Sequence, residues 1–121
     1  MRKEAEALLY AGTVIPATPL CLDADRKFNE KAQRRLIRYY LNAGVGGLAV
    51  AVHTTQFEIR DPEVNLLKPV LRIAKEEASA FEAKTGKTVL LVAGVCGPIE
   101  QAVKKAEHAS SMGNDTALLS P

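Results

Sequence analysis

The stretch Ala43-Gly44-Val45-Gly46-Gly47-Leu48-Ala49-Val50-Ala51-Val52, followed by His53-Thr54-Thr55-Gln56-Phe57, decides how this chain is read. Gly44 suits the left-handed residue that ends a helix. The apolar run over 47–52 reads as a strand covered on both faces, as in a parallel sheet. Polar residues begin where that strand ends, and chemistry in α/β folds gathers at the carboxyl ends of strands. Adjacent threonine hydroxyls and the backbone amides after them suit a small anion such as a carboxylate. The competing reading is a β-branched strand end whose hydroxyls are satisfied internally.

The same unit recurs along the chain. Leu41-Asn42-Ala43-Gly44-Val45-Gly46-Gly47-Leu48 is echoed by Ser111-Met112-Gly113-Asn114-Asp115-Thr116-Ala117-Leu118: a helix end, a glycine, a turn, then a strand. Thr13–Thr18 reads as a first strand, stopped by Pro19. Asn29 caps a helix through Ala43, with Ala32, Leu36, Ile37, Tyr40 and Leu41 at helical spacing. Glu63–Lys84 reads as a long helix with Val64, Leu67, Leu71, Ala74, Ala78 and Phe81 on its apolar face. Pro69 inside it demands a kink or a separate first turn, and Gly86 closes it. Thr88–Gly94 is the third strand. A further helix opens at Gly97-Pro98 and runs to Met112, with Pro98 at its first helical position. Asp115–Ser120 is the fourth strand. This alternation predicts an α/β fold with parallel strands. The strands leave Val14, Leu48, Val50, Leu90 and Leu118 as candidate inward residues.

Composition narrows the function. The chain has 121 residues, 47% hydrophobic and 25% charged, as a soluble globular domain does. Sixteen basic and fourteen acidic side chains give a net charge of +2, too balanced for a nucleic-acid surface. Three Phe, three Tyr and no Trp offer no stacking platform for bases. No run approaches a membrane span, and Met1–Glu6 lacks the apolar core of a signal peptide. The expectation is a cytoplasmic protein with neither nucleic-acid nor membrane partner. Cys21 and Cys96 lie far apart without ligand spacing, and no dinucleotide fingerprint is present, so no metal or cofactor is implied.

Candidate chemistry sits at the strand ends. Thr18 presents a hydroxyl after the first strand, unless Pro16 and Pro19 merely set a turn there. Thr54 and Thr55 follow the second. His53 is a candidate acid/base group because its pKa lies near neutrality, against a role as hydrogen-bonded filler. His108 reads as a solvated helix residue. Ala93-Gly94-Val95-Cys96-Gly97 lets backbone approach a ligand, and Cys96 precedes a helix N-terminus. Lys68, Lys75, Lys84, Lys104 and Lys105 fall on helices, and no lysine lies within a strand, where burial would lower its pKa for Schiff-base chemistry.

In order, Gly12-Thr13-Val14-Ile15-Pro16-Ala17-Thr18-Pro19-Leu20, Ala43–Leu48, Thr54-Thr55, Val92-Ala93-Gly94-Val95 and Asn114–Pro121 resemble the dihydrodipicolinate synthase / N-acetylneuraminate lyase family. The resemblance implies the N-terminal half, about four βα units, of a (β/α)8 TIM barrel, with residues 1–121 a partial barrel domain truncated after strand 4. It also implies lyase or aldolase chemistry on an α-keto acid such as pyruvate through a lysine Schiff base. The open strand edges of half a barrel make a homo-oligomer the expectation. By the same resemblance Thr55 holds the substrate carboxylate and Thr54 joins a proton relay through tyrosine; Thr18 and His53, from their own places at strand ends, are further substrate-binding candidates. The family's usual Gly-Thr-Thr-Gly-Glu is here His53-Thr54-Thr55-Gln56-Phe57, which reshapes the pocket or its support. The Schiff-base lysine and relay tyrosines have no counterpart in the chain. Two other readings stay open: a non-catalytic half-barrel that binds a small anion or dimerises, and a small flavodoxin-like domain.

Overall fold

The computed structural model describes residues 1–120, without the Phe57 side chain. Pro121, expected to close the last strand, and the Phe57 ring, expected to reshape the pocket, lie outside the described residues. The element order is α1 (Lys3–Ala11), α2 (Glu30–Asn42), β1 (Gly47–Val50), two short 3-10 turns at His53–Thr55 and Phe57–Arg60, α3 (Leu67–Thr85), β2 (Leu90–Cys96), α4 (Ile99–Ser111) and β3 (Thr116–Ser120). The strands form one parallel sheet in the order β1-β2-β3. Gly47 sits opposite Leu90, and Val92 opposite Thr116. Among the described residues no helix is long and apolar enough to cross a membrane.

The expected first strand is present in reduced form. Residues 14–18 run parallel to β1, with Ala17 opposite Ala49. Three bonds join them: Gly46 N to Val14 O at 3.0 Å, Ala49 N to Pro16 O at 2.9 Å and Thr18 N to Ala49 O at 2.9 Å. Pro16 has no N–H, so the segment makes a bridge rather than a ladder. The spatial order therefore follows the chain order from this segment through β3. A flavodoxin-like sheet reverses direction after its first strand. A strictly sequential parallel order is how a barrel wall grows, so the fold is α/β and barrel-like.

Local chemistry sets the boundaries. Asn29 caps α2, its side chain accepting from Ala32 N at 3.0 Å. The long helix begins at Leu67, later than the expected Glu63. Asp61 instead holds residues 63–65 in a turn, its carboxylate accepting from Glu63 N and its carbonyl from Val64 N and Asn65 N. Pro69 then falls in the first turn of α3, where its missing donor costs nothing and no kink arises. Gly86, at φ 72°, ends that helix. β1 stops at Val50, two residues early, because Ala51 adopts φ 60°. β2 starts at Leu90, since side chains take the preceding backbone groups: Glu82 accepts from Val89 N and Arg2 donates to Val89 O. Pro98 stands just before α4 rather than inside it.

Strand alternation divides the core in two. Leu48, Val50, Leu91 and Ala93 pack outward against Ile37 and Leu41 of α2 and Val70, Ile73 and Ala74 of α3. Ala49, Leu90 and Val92 form the inner face with Ile15, Ala17, Ala5 and Leu8. Leu48 and Val50, expected inward, thus face the helices, because their partners Leu91 and Ala93 carry the outer parity. Leu90 is inward as expected, and Leu118 shares that face opposite Gly94 although it is more than half exposed; Val14 is also more than half exposed.

The helix at 3–11 is not among the elements that the sequence pattern predicts. Acidic Glu4 and Glu6 favour its first turn, and fully buried Ala5 seats it on the inner face. Arg2, just before it, ties three elements together. It meets Asp115 through two bonds of 2.9 and 3.0 Å, Glu82 at 2.7 Å and Val89 O at 2.8 Å. A second ionic cluster joins α2 to α3: Arg34 contacts Glu30, Glu76 and Glu77, and Arg38 contacts Glu77.

Burial pushes the Asp115 carboxyl up, but bonds from Arg2 and the Leu91 amide outweigh it and hold it below its ordinary value. Burial likewise opposes ionisation of Glu77, and Arg38 and Arg34 reverse the balance. Both carboxyls titrate lower folded than unfolded. Their contribution is complete above the unfolded value of about 4 and is lost as pH falls through the folded values. Urea unfolding should show stability dropping below about pH 4, with Asp115→Asn less stable by about 2 kcal/mol at neutral pH and its acid fall flattened.

Candidate functional site

The site lies at the carboxyl ends of β1, β2 and β3. Ala51 leaves the strand in a left-handed conformation, and Gln56 closes the next turn at φ 81°. Between them His53–Thr55 forms one 3-10 turn, with Thr55 N bonded to Val52 O and Gln56 N to His53 O, both at 2.9 Å. Two positive φ values at non-glycine residues bracket this turn, a local strain that the surrounding contacts must hold.

His53 and Thr54 are exposed and line a cavity of 320 Å³ with Ile15, Ala17, Ala49, Val52, Gly94, Leu118 and Ser120. Its walls are the apolar inner face of the sheet, and its rim carries an imidazole and two hydroxyls. A concave apolar space with a few polar groups at strand ends is the usual form of a small-molecule site.

Thr18 and Thr55 occupy a different layer. Both are fully buried. The Thr55 hydroxyl donates to Thr18 O at 2.5 Å, tying the turn to the segment beside β1. Thr18 Oγ1 is buried without a hydrogen-bond partner among the described residues. Of the sequence-derived candidates, the fold therefore brings His53 and Thr54 onto the cavity and sets Thr55 and Thr18 beneath it, bonded to each other. Gln33, fully buried on α2, secures the loop after Thr18 by donating to Pro19 O and accepting from Cys21 N.

Two residues were not singled out from sequence. Ser120 reaches the cavity because it shares the inner parity of Cys96 and Gly94; the alternation of β3 carries that signal. Arg60 donates from one nitrogen to both Ala51 O, at 2.6 Å, and Gly94 O, at 2.7 Å. Burial pulls its guanidinium below the ordinary arginine value, and Cys96 opposes that. Gly94 is required there: a Cβ would collide with Ala51 O. The signal in sequence was a basic residue shortly after the threonines.

The other candidates lie elsewhere. Lys105 Nζ donates to Cys96 O at 2.9 Å and lies 3.9 Å from its sulfur. Burial pushes the Cys21 thiol up. His108 is half-buried rather than solvated, its Nε2 enclosed without a hydrogen-bond partner among the described residues. Among the described residues no lysine lies on a strand, and no cluster of His, Cys, Asp and Glu could hold a metal.

Known structures share this fold. Dihydrodipicolinate synthase from Aquifex aeolicus matches with TM-score 0.72 at 21% identity, over 88% of this chain and 33% of that one. N-acetylneuraminate lyase from Fusobacterium nucleatum matches with TM-score 0.70 at 26% identity, over 88% and 34%. A prophage protein of the dihydrodipicolinic acid synthase family from E. coli K12, solved with pyruvate, matches with TM-score 0.69 at 22% identity, over 87% and 33%. The chain thus has the fold of an N-terminal part of these structures and spans about a third of their length. Neither a family model nor a curated protein matches the sequence.

Thr55→Val should leave Thr18 O unsatisfied and cost about 1–2 kcal/mol in urea unfolding. Its amide shift changes should be confined to residues 13–18 and 51–56. Gly94→Ala should cost about 1–3 kcal/mol by forcing Ala51 aside, and the same shift map reads its effect on the turn.

Proposed function

We propose that residues 1–121 form a partial barrel domain of a class I lyase or aldolase, and that its strand-end cavity takes the carboxylate of a small α-keto acid. The observation that carries this reading is the 320 Å³ cavity, apolar in its walls and edged by His53, Thr54 and Ser120. The fold shared with lyase and synthase structures supports it, one of them solved with pyruvate.

Thr54 is the hydroxyl that meets the ligand, and it can accept or return a proton at its Oγ1. His53 supplies a second polar group on the rim, an imidazole able to donate a hydrogen bond to an anion. Thr55 acts from below, since its hydroxyl and amide are both engaged within the protein. With Thr18 it fixes the turn rather than gripping the carboxylate directly. The covalent step needs an amine, and no strand among the described residues carries a lysine. In this reading the Schiff-base lysine and relay tyrosines belong to the remainder of a full barrel.

Titrating pyruvate into the isotope-labelled chain should give saturable amide shifts at residues 53–56. Thr54→Ala should weaken binding about fivefold to tenfold. Shifts that do not saturate, or an unchanged Thr54→Ala affinity, would overturn the ligand assignment. Borohydride reduction with pyruvate should leave the chain unmodified by mass, and a labelled lysine would overturn the division of labour.

A further inference from the structure

We infer that Arg60 is the positioning residue of this site: its guanidinium holds the carbonyls of Ala51 and Gly94 together and so sets the turn that carries His53 and Thr54. As a claim about ligand binding, this rests on the reading of that turn as the keto-acid site.

The argument starts from the backbone. The paired register of β1 and β2 ends at Val50 and Ala93. One residue later, Ala51 has φ 60°, which costs an L-residue about 1 kcal/mol or more and persists only when its surroundings impose it. Its carbonyl lies so close to Gly94 that a side chain there would collide with it. Two carbonyl oxygens, Ala51 O and Gly94 O, then converge with their negative ends together. A single Arg60 nitrogen donates to both, at 2.6 and 2.7 Å. A charged donor shared by two carbonyls offsets their repulsion.

The other end of the loop is fixed independently. Ile59, next to Arg60, is buried in the outer core with Val70 and Leu48. The segment from Ala51 to Arg60 is therefore closed at its neck by the guanidinium. Within that loop the turn is also restrained by the Thr55 hydroxyl on Thr18 O and by its own backbone bonds. Remove the guanidinium and the strained Ala51 has one fewer reason to keep its conformation. His53 and Thr54 follow it directly in the chain.

The test measures amide exchange and pyruvate affinity on the same samples of the 121-residue chain. Arg60→Met should speed exchange at Thr55 and Gln56 by about tenfold, while amides of α2 and α3 keep their protection. It should also weaken pyruvate binding about fivefold or more, and Arg60→Lys should recover most of both losses, since an ammonium can donate to two carbonyls. Unchanged exchange at Thr55 and Gln56 in Arg60→Met would overturn the inference. So would a loss of protection spread evenly through the helices, or an Arg60→Lys variant no better than Arg60→Met. If the unmodified chain fails to bind pyruvate, the ligand reading falls, and the exchange comparison still decides the role of Arg60. Should Arg60→Met not fold, Arg60→Gln takes its place in the same comparison: faster exchange confined to Thr55 and Gln56 supports the inference, and unchanged or globally faster exchange overturns it.

Discussion

The parallel register of β1 on β2 is the constraint on which the rest of the structure depends. Once Gly47 faces Leu90, every later residue on both strands is committed to one side of the sheet. Leu48, Val50, Leu91 and Ala93 must meet the helices, and Ala49, Leu90 and Val92 must line the interior. A slip of one residue would exchange the two sets, sending the small Gly47 and Ala49 to the helices. The same register brings Ala51 and Gly94 side by side just beyond the paired segment, where the site begins.

Two groups of charged side chains lock that arrangement from outside the sheet. Arg34 and Arg38 join α2 to α3 through the nearly buried Glu77. Arg2 joins the start of α1 to the end of α3 and to the entrances of β2 and β3. Its partners Asp115 and Glu82 also accept the backbone amides of Leu91 and Val89. These bonds satisfy donors at the strand entrances that would otherwise be buried without partners. The amino ends of the strands are thereby tied down, opposite the cavity.

At the cavity end the chain is held in strained backbone conformations. The Thr55 hydroxyl, the Arg60 guanidinium, turn bonds and the buried Ile59 keep residues 51–60 in place. Binding residues often sit on loops that a rigid scaffold positions. Here the scaffold is the two-sided core, and the loop is the turn with His53 and Thr54 on its outer surface.

Much of this was written in the residues. Apolar runs over 47–52 and 88–94 located β1 and β2 within two residues, because a buried parallel strand needs continuous apolar sequence. Asn29 and Gly86 marked helix ends, since capping chemistry is local. The pair Thr54-Thr55 marked the place where polar groups meet strand ends. Position in space was a different matter. Which of two adjacent threonines is exposed depends on the turn that Ala51 begins, and nothing in the local sequence demands a left-handed alanine. That Leu48 faces helices and Leu90 the interior depends on register, which is a relation between distant segments. Arg2 ties the start of α1 to partners eighty or more residues away, a relation that no local pattern announces. The sequence by itself determined the alternation of strands and helices and the neighbourhood of the site. Tertiary packing decided its geometry, because long-range bonds select one conformation among the several that each short segment allows.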